Sequence, residues 1–370
     1  MNKKIAIVHD YIKEYGGAER VVEELVKIYP QADIYTTIYM PEFLGPHKKR
    51  FENYTIFTTW LQKLPNKGKL ISLARLIAPT VFKNIDLSSY DVVITSAAGT
   101  YTSPNFVKIG KKTKLICYCH TPPRYLYGYR TANNWDANPG KKFLKAIGAI
   151  PMHFLRIADH EASKRPNIFI ANSDEVKKRI EKFYRRDAIV IYPPVHLPNV
   201  VKGKKEAFYL AGGRLARSKG MDIIVNAFNK NGKPIKIFGK GFAGFEEELK
   251  SMAHKNIEFV GEITDEEKFE LMGGAKAFIF TSFDEDFGIT PVEAMGVGTP
   301  VISYRSGGVK ETVVDAKTGV FYEDNTPESL NAAILKFESL ELNPNDCVER
   351  AEKFSEKEFD RKIKEVVSSA

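Results

Sequence analysis

The chain has 370 residues, 43% hydrophobic and 12% aromatic, with a net charge of +9. That length and apolar content support a large core and two domains, and they exclude a disordered or fibrous chain. Three cysteines make no disulfide framework, and no run approaches the ~18 apolar residues of a membrane span, so a cytoplasmic chain, or one peripheral on the inner face of the cytoplasmic membrane, is expected.

The N-terminal apolar run, Ile5 to Val8, is too short for a signal-peptide core. Residues 1–196 carry 31 Lys/Arg against 17 Asp/Glu, whereas residues 197–370 carry 24 against 29. A basic half joined to an acidic half suggests that one half faces an anionic partner.

Short apolar runs alternate with amphipathic stretches. Strands are predicted at 4–9, 91–95, 114–119, 167–172, 188–192, 207–211, 235–238, 257–260, 277–281 and 300–303. Most are rich in Ile, Val and Phe without strict alternation, as in strands buried on both faces of a parallel sheet. Helices are predicted at 17–29, 141–164, 174–184, 220–230, 245–253, 266–273 and 291–297. The alternation predicts α/β architecture with two Rossmann-like, doubly wound domains. The stretch 193–206 has three prolines and no helical period, and reads as the linker. Binding sites are expected at the carboxyl ends of the strands, facing a shared cleft.

Residues 53–85 contain Lys63, Lys67, Lys69, Arg75 and Lys83 and no acidic residue. Apolar residues recur there at helical spacing, from Trp60 and Leu61 to Ile77 and Val81. Two readings stand: a surface helix whose apolar side packs on the domain, or a face that docks on anionic lipid.

Four stretches carry chemistry. In EYGGAER, 14–20, Gly16 and Gly17 precede a helix expected near Ala18, a loop-to-helix anion site without a full GxGxxG. In CYCHTPPRYLYG, 117–128, His120 ends a strand and could hydrogen-bond a hydroxyl or assist proton transfer. Cys117 and Cys119 lack a second ligand pair nearby and read as buried thiols, so no metal site is expected. In GGRLARSKG, 212–220, Arg214 and Lys219 can converge on a diphosphate, although GxxxxGK[ST] is absent. In FDEDFGITPVEAMG, 283–296, a loop leads into a helix whose first turn contains Pro291. Free amides there favour an anion, and Gly288 permits close backbone approach. Glu285 and Glu293 could each bind one of the two polyols that flank a sugar nucleotide's phosphates. The plain alternative is that Glu293 complements the helix dipole and Glu285 is solvated.

Together these motifs resemble the retaining glycosyltransferases of the GT-B fold, family 4, also called group 1. The resemblance covers nearly the whole chain. It rests on Glu285-x7-Glu293 with Phe287, Gly288, Pro291, Ala294, Gly298 and Pro300, on Gly213-Arg214 and Lys219-Gly220, on Gly16-Gly17, on Asn172-Ser173 and on GGVKE, 307–311. It implies an N-terminal acceptor-side domain, 1–195, a donor-nucleotide domain, 196–354, and a terminal helix, 355–370, returning to the first domain.

By the same resemblance, Arg214 and Lys219 hold the donor diphosphate and Glu293 the ribose. Glu285 contacts the sugar, with the amides of Phe287, Gly288 and Ile289. Gly17 approaches the diphosphate, His120 lies by the transferring sugar, and Gly261 to Ile263 meet the base. No prosthetic group or metal is implied. HTPPRYLY resembles a mannosyltransferase subgroup of O-antigen, lipopolysaccharide and exopolysaccharide assembly. This implies GDP-mannose as donor, with a UDP-sugar as the alternative, and a glycan or polyprenyl-diphosphate-linked acceptor. The competing readings are a GT-B sugar-nucleotide epimerase, a sugar phosphorylase, a noncatalytic glycan-assembly subunit and a basic nucleic-acid-binding protein. The first two lack this motif combination or length, the third has less need of these polar residues together, and no nucleic-acid motif supports the last.

Overall fold

The computed structural model describes residues 3–101, 104–129, 139–198, 205–241 and 244–370. Part of the expected linker, 199–204, and the Lys69 side chain lie outside the described residues. The chain forms two compact units: residues 1–194 with 359–370, and residues 195–358.

The first unit contains, in order, β1 (Ile5–His9), α1 (Gly17–Ile28), β2 (Asp33–Thr36), β3 (Ile56–Thr58), α2 (Lys67–Ala74), α3 (Ala78–Lys83), β4 (Asp86–Leu87), β5 (Val92–Ala97), β6 (Lys108–Ile109), β7 (Lys114–Cys119), α4 (Pro139–Ser163), β8 (Ile168–Ala171), α5 (Asp174–Tyr184) and β9 (Ile189–Val190). Its main sheet runs β3-β2-β1-β5-β7-β8-β9, and every pairing is parallel. Strands β1 and β5 are almost wholly buried, which explains their unbroken apolar runs.

The second unit contains β10 (Tyr209–Gly212), α6 (Met221–Asn231), β11 (Ile235–Phe238), α7 (Phe245–Met252), β12 (Ile257–Gly261), α8 (Asp265–Gly274), β13 (Phe278–Phe280), α9 (Ile289–Gly296), β14 (Val301–Tyr304), α10 (Val309–Thr312), β15 (Gly319–Tyr322), α11 (Pro327–Glu338) and α12 (Pro344–Glu352). Its parallel sheet runs β12-β11-β10-β13-β14-β15. The last helix, α13 (Glu356–Ser369), places Phe359, Ile363, Val366 and Val367 in the core of the first unit, beside Ile7 and Tyr118.

In both sheets the strand order reverses once, while all strands stay parallel. In the first, successive strands build outward on either side of the β1–β5 pair; in the second, on either side of β10–β13. Such a switch point opens a crevice outside the carboxyl ends of the two strands, where ligands of doubly wound sheets bind.

Several elements differ from expectation. Residues 53–85 are not one helical face: β3, a 3-10 turn at Trp60–Lys63, α2 and α3 divide them. Pro65, Asn66 with φ of 51° and Pro79 at the start of α3 break the helix. Leu61, Ile71, Ala74, Val81 and Phe82 pack into the unit, whereas Trp60, Leu73, Leu76 and Ile77 stay exposed. Helix α9 starts two residues earlier than expected, at Ile289, because Pro291 is accommodated in its first turn. Strands β2, β4, β6 and β15 and helices α10, α11 and α12 carried no prediction.

Candidate functional site

In the second unit the switch point gathers three loops. After β10, Gly213 has φ of 122° and its amide donates to the Phe238 carbonyl. A Cβ on Gly239 would lie 1.8 Å from the Gly213 oxygen, so glycine alone lets these strand ends meet. The loop then makes a 3-10 turn, Arg217–Lys219, and is tied to the end of β13. The Thr281 hydroxyl donates to the Lys219 carbonyl at 2.7 Å, and the Phe283 amide donates to the Ser218 carbonyl.

This tether brings Lys219 to Glu285. Lys219 Nζ and Ser282 Oγ, the latter at 2.6 Å, both donate to Glu285 Oε2. The ion pair is half-buried, with side-chain exposures of 30% and 20%. Arg214 is exposed on the same loop.

The Glu285 loop is shaped from behind by Gly307 and Gly308 of GGVKE. The Gly308 amide donates to the Glu285 carbonyl at 2.8 Å. A Cβ on Gly307, whose φ is 68°, would lie 2.2 Å from that carbonyl oxygen, and one on Gly308 would lie 2.6 Å from the Phe287 Cα. The sequence marks GGVKE as a motif without giving this reason for it. Asp284 takes φ of 47°, and Gly288 caps α9 with φ of 92°. Phe287 is buried, its ring edge-on to Phe354. Ile289 opens α9 and is half-buried.

Glu293 is 2% exposed, and Lys268 Nζ donates to its Oε1 at 2.8 Å. The same ammonium reaches Asp265 Oδ1 at 2.8 Å. Glu293 is thus a buried ion-pair member on α9, fixed by a lysine on α8 that sequence reasoning missed. Gly261, with φ of 87°, accepts the Gly239 amide at 2.7 Å, and Ile263 sits half-buried just before the α8 cap.

In the first unit the switch point carries a chain of buried polar groups. His9 closes β1, Ser96 lies opposite it in β5, and His120 follows β7. His9 Nδ1 lies 3.1 Å from both the carbonyl oxygen and Oγ of Ser96. Ser96 Oγ lies 2.9 Å from His120 Nε2. Glu19, on the first turn of α1, places Oε1 3.5 Å from His9 Nε2 and accepts the Gly16 amide on Oε2 at 2.9 Å. The Gly16 amide is therefore committed to the helix cap, and Gly17, the first residue of α1, is exposed.

Asp10 Oδ2 accepts the Thr100 and Tyr101 amides. Burial pushes the Asp10 carboxyl up to about 6, against the opposing pull of His9. Burial alone would lower His9, but Glu19, then Asp10 and the Ser96 carbonyl, outweigh it and raise its pKa. Burial and the charge on His9 lower His120 to about 3. Burial pushes the Cys117 thiol up to about 12. Among the described residues no group of three or more His, Cys, Asp and Glu is placed to hold a metal.

A parallel α/β unit with a lysine–glutamate pair and a glycine-backed helix N-terminus at its switch point is suited to hold an anionic ligand outside the carboxyl ends of its strands. The sequence profile of glycosyl transferases group 1 matches residues 196–354, and that of glycosyltransferase family 4 matches residues 15–198. The chain belongs to the group 1, family 4 glycosyltransferases and has the GT-B fold.

An alpha-1,3/1,6-mannosyltransferase of Dictyostelium discoideum is 25% identical over 383 residues, spanning 89% of this chain and 88% of that protein. An uncharacterized glycosyltransferase of Methanocaldococcus jannaschii is 28% identical over 209 residues, spanning 55% of this chain and 58% of that protein. Among solved structures, Anabaena HepE in complex with UDP superposes with a TM-score of 0.72 at 17% identity, covering 99% of this chain and 100% of that one.

Proposed function

We propose that this enzyme is a retaining mannosyltransferase that uses GDP-mannose and extends a glycan, or a polyprenyl-diphosphate-linked glycan, in cell-surface polysaccharide or lipopolysaccharide assembly. The observation that carries the transfer chemistry is the Lys219–Glu285 pair, tethered at the second switch point beside the α9 N-terminus. The long match to alpha-1,3/1,6-mannosyltransferases favours mannose.

In this reading Arg214, Lys219 and the α9 amides meet the charge that develops on the departing diphosphate, so no divalent cation is needed. Glu285 contacts the sugar, and Glu293 serves the ribose from its place beside Lys268. Gly261 to Ile263 meet the base. The anomeric carbon–oxygen bond to the β-phosphate breaks, the acceptor oxygen bonds on the same face, and its proton passes to the departing phosphate. In the first unit, Gly17 serves the diphosphate and His120 the transferring sugar. The basic segment 53–85, with its exposed Trp60, Leu73, Leu76 and Ile77, serves an anionic membrane surface.

A second reading, transfer from a UDP-sugar, is favoured by the structural likeness to HepE, which was solved with UDP. Calorimetric titration of GDP, UDP, ADP and GDP-mannose in the presence of EDTA separates the two. Tight binding of the GDP species alone supports mannose and metal-free binding. Preference for UDP replaces the donor, and silence toward all four overturns the assigned site.

A further inference from the structure

Which nitrogen of His120 carries a proton decides what that ring can do. Its surroundings determine the answer through a group that no motif marks. His9, Ser96, His120 and Glu19 are all buried. A backbone carbonyl only accepts, so His9 Nδ1, 3.1 Å from the Ser96 oxygen, must carry a hydrogen. His9 Nε2 lies 3.5 Å from Glu19 Oε1, within ion-pair range but without a hydrogen bond, and this neighbour, with Asp10, favours the protonated, imidazolium form of His9. The charged or titratable groups facing it are Glu19 from α1, Asp10 at the end of its own strand and His120 after β7.

The consequence passes through Ser96. Its Oγ, 3.1 Å from His9 Nδ1, receives a share of the imidazolium hydrogen. Its own hydroxyl hydrogen then has one acceptor among the described residues, His120 Nε2 at 2.9 Å. A nitrogen that accepts has no hydrogen, so the proton of neutral His120 sits on Nδ1. Nδ1 makes no hydrogen bond to the described residues and is the nitrogen left for a ligand.

We propose that His9, paired with Glu19, is a positioning residue that acts through Ser96 to lock His120 as the neutral Nδ1–H tautomer, a hydrogen-bond donor toward a sugar hydroxyl. His120 then orients the sugar and does not serve as a base in the transfer. The ligand part rests on the proposed function; the lock itself does not.

Long-range proton–nitrogen spectra of the 15N-labelled full-length protein read the lock directly. The signals are assigned with His9→Gln and His120→Gln. The expected wild-type result is an unprotonated Nε2 and a protonated Nδ1 on His120, unchanged between about pH 5.5 and 8, with both nitrogens of His9 protonated. A protonated Nε2 on His120, ordinary titration of that ring or a neutral His9 overturns the proposal. Ser96→Ala, a small change, should release His120 into a mixture of tautomers and lower kcat about tenfold while leaving donor-nucleotide affinity unchanged. An unchanged tautomer in this variant also overturns the lock. A released tautomer with wild-type kcat keeps the lock and removes His120 from the sugar.

Discussion

Glu285 receives two donors on one oxygen, Lys219 and Ser282, so its carboxylate is already oriented before any ligand arrives. Glu285→Gln keeps the shape and removes the charge. Turnover should fall about 10²- to 10³-fold, the usual cost of losing one charge-stabilising group at a reacting centre. Nucleotide affinity should change little, and steady-state kinetics with wild-type kcat would remove Glu285 from the chemistry. His120 gives a prediction of a different kind. Its folded pKa of about 3 lies below the unfolded value, so between about pH 6.5 and 3 the unfolded chain binds the extra proton. This contribution to stability is complete above about pH 6.5 and is lost as pH falls. Asp10, raised to about 6, acts oppositely and loses stability as pH rises from about 4 to 6. The difference between wild type and His120→Gln isolates the histidine: urea midpoints of the variant should fall less steeply on acidification, and parallel curves would contradict the buried neutral ring. His120, Lys219 and Glu285 were legible because each follows a strand in a loop that glycine or proline punctuates. Ser96 was not, since its role comes from sheet register opposite His9, and Lys268 was not, since it reads like any helix-surface lysine.

The strand-loop-helix unit β13–α9 shows why a motif can be visible while its reason is hidden. GGVKE stands some twenty residues from Glu285 in sequence, yet its glycines form the wall on which the Glu285 loop lies. Gly307→Ala would force a left-handed non-glycine residue, at about 1–2 kcal/mol, and push a methyl into the Glu285 backbone. The expected result is a modest fall in melting temperature with a large fall in kcat. Wild-type turnover in that variant would mean the loop can relax without cost to the site. The strands were legible as elements because parallel strands buried on both faces are continuous apolar runs. The region 53–85 misled because helical spacing of apolar residues says nothing about Pro65, Asn66 and Pro79 interrupting the helix. What survives there is a split surface, with Leu61, Ile71 and Phe82 inward and Trp60, Leu73, Leu76 and Ile77 outward. Replacing Leu73 and Leu76 with Ser and Lys63 and Lys67 with Gln should weaken sedimentation with anionic vesicles, more at low salt than at high salt. Unchanged or salt-insensitive sedimentation would sink the membrane face.

Two units with separate cores should respond separately to damage, and α13 offers the sharpest test. The helix follows the second unit in sequence, yet Phe359, Ile363, Val366 and Val367 are buried with β1, β5 and β7 in the first. Phe359 meets Tyr118 edge-on at 5.9 Å between ring centres, and Lys3 Nζ donates to the Val367 carbonyl at 2.8 Å. Each buried apolar side chain contributes about 1.5–3 kcal/mol, so four of them are a large share of the about 5–15 kcal/mol that holds a domain together. Deleting residues 359–370 should therefore lower the first unit's thermal transition severely, or abolish it. The second unit should keep its own transition and, through Arg214, Lys219 and the α9 amides, a nucleotide-induced shift. Phe359→Ala, with an expected loss of about 3–5 kcal/mol, tests the same contact without removing backbone. Scanning calorimetry with and without the bound nucleoside diphosphate assigns each transition. If both transitions fall together, the units unfold as one and their cores are not independent. If neither moves, α13 is an appendage and its buried side chains contribute little.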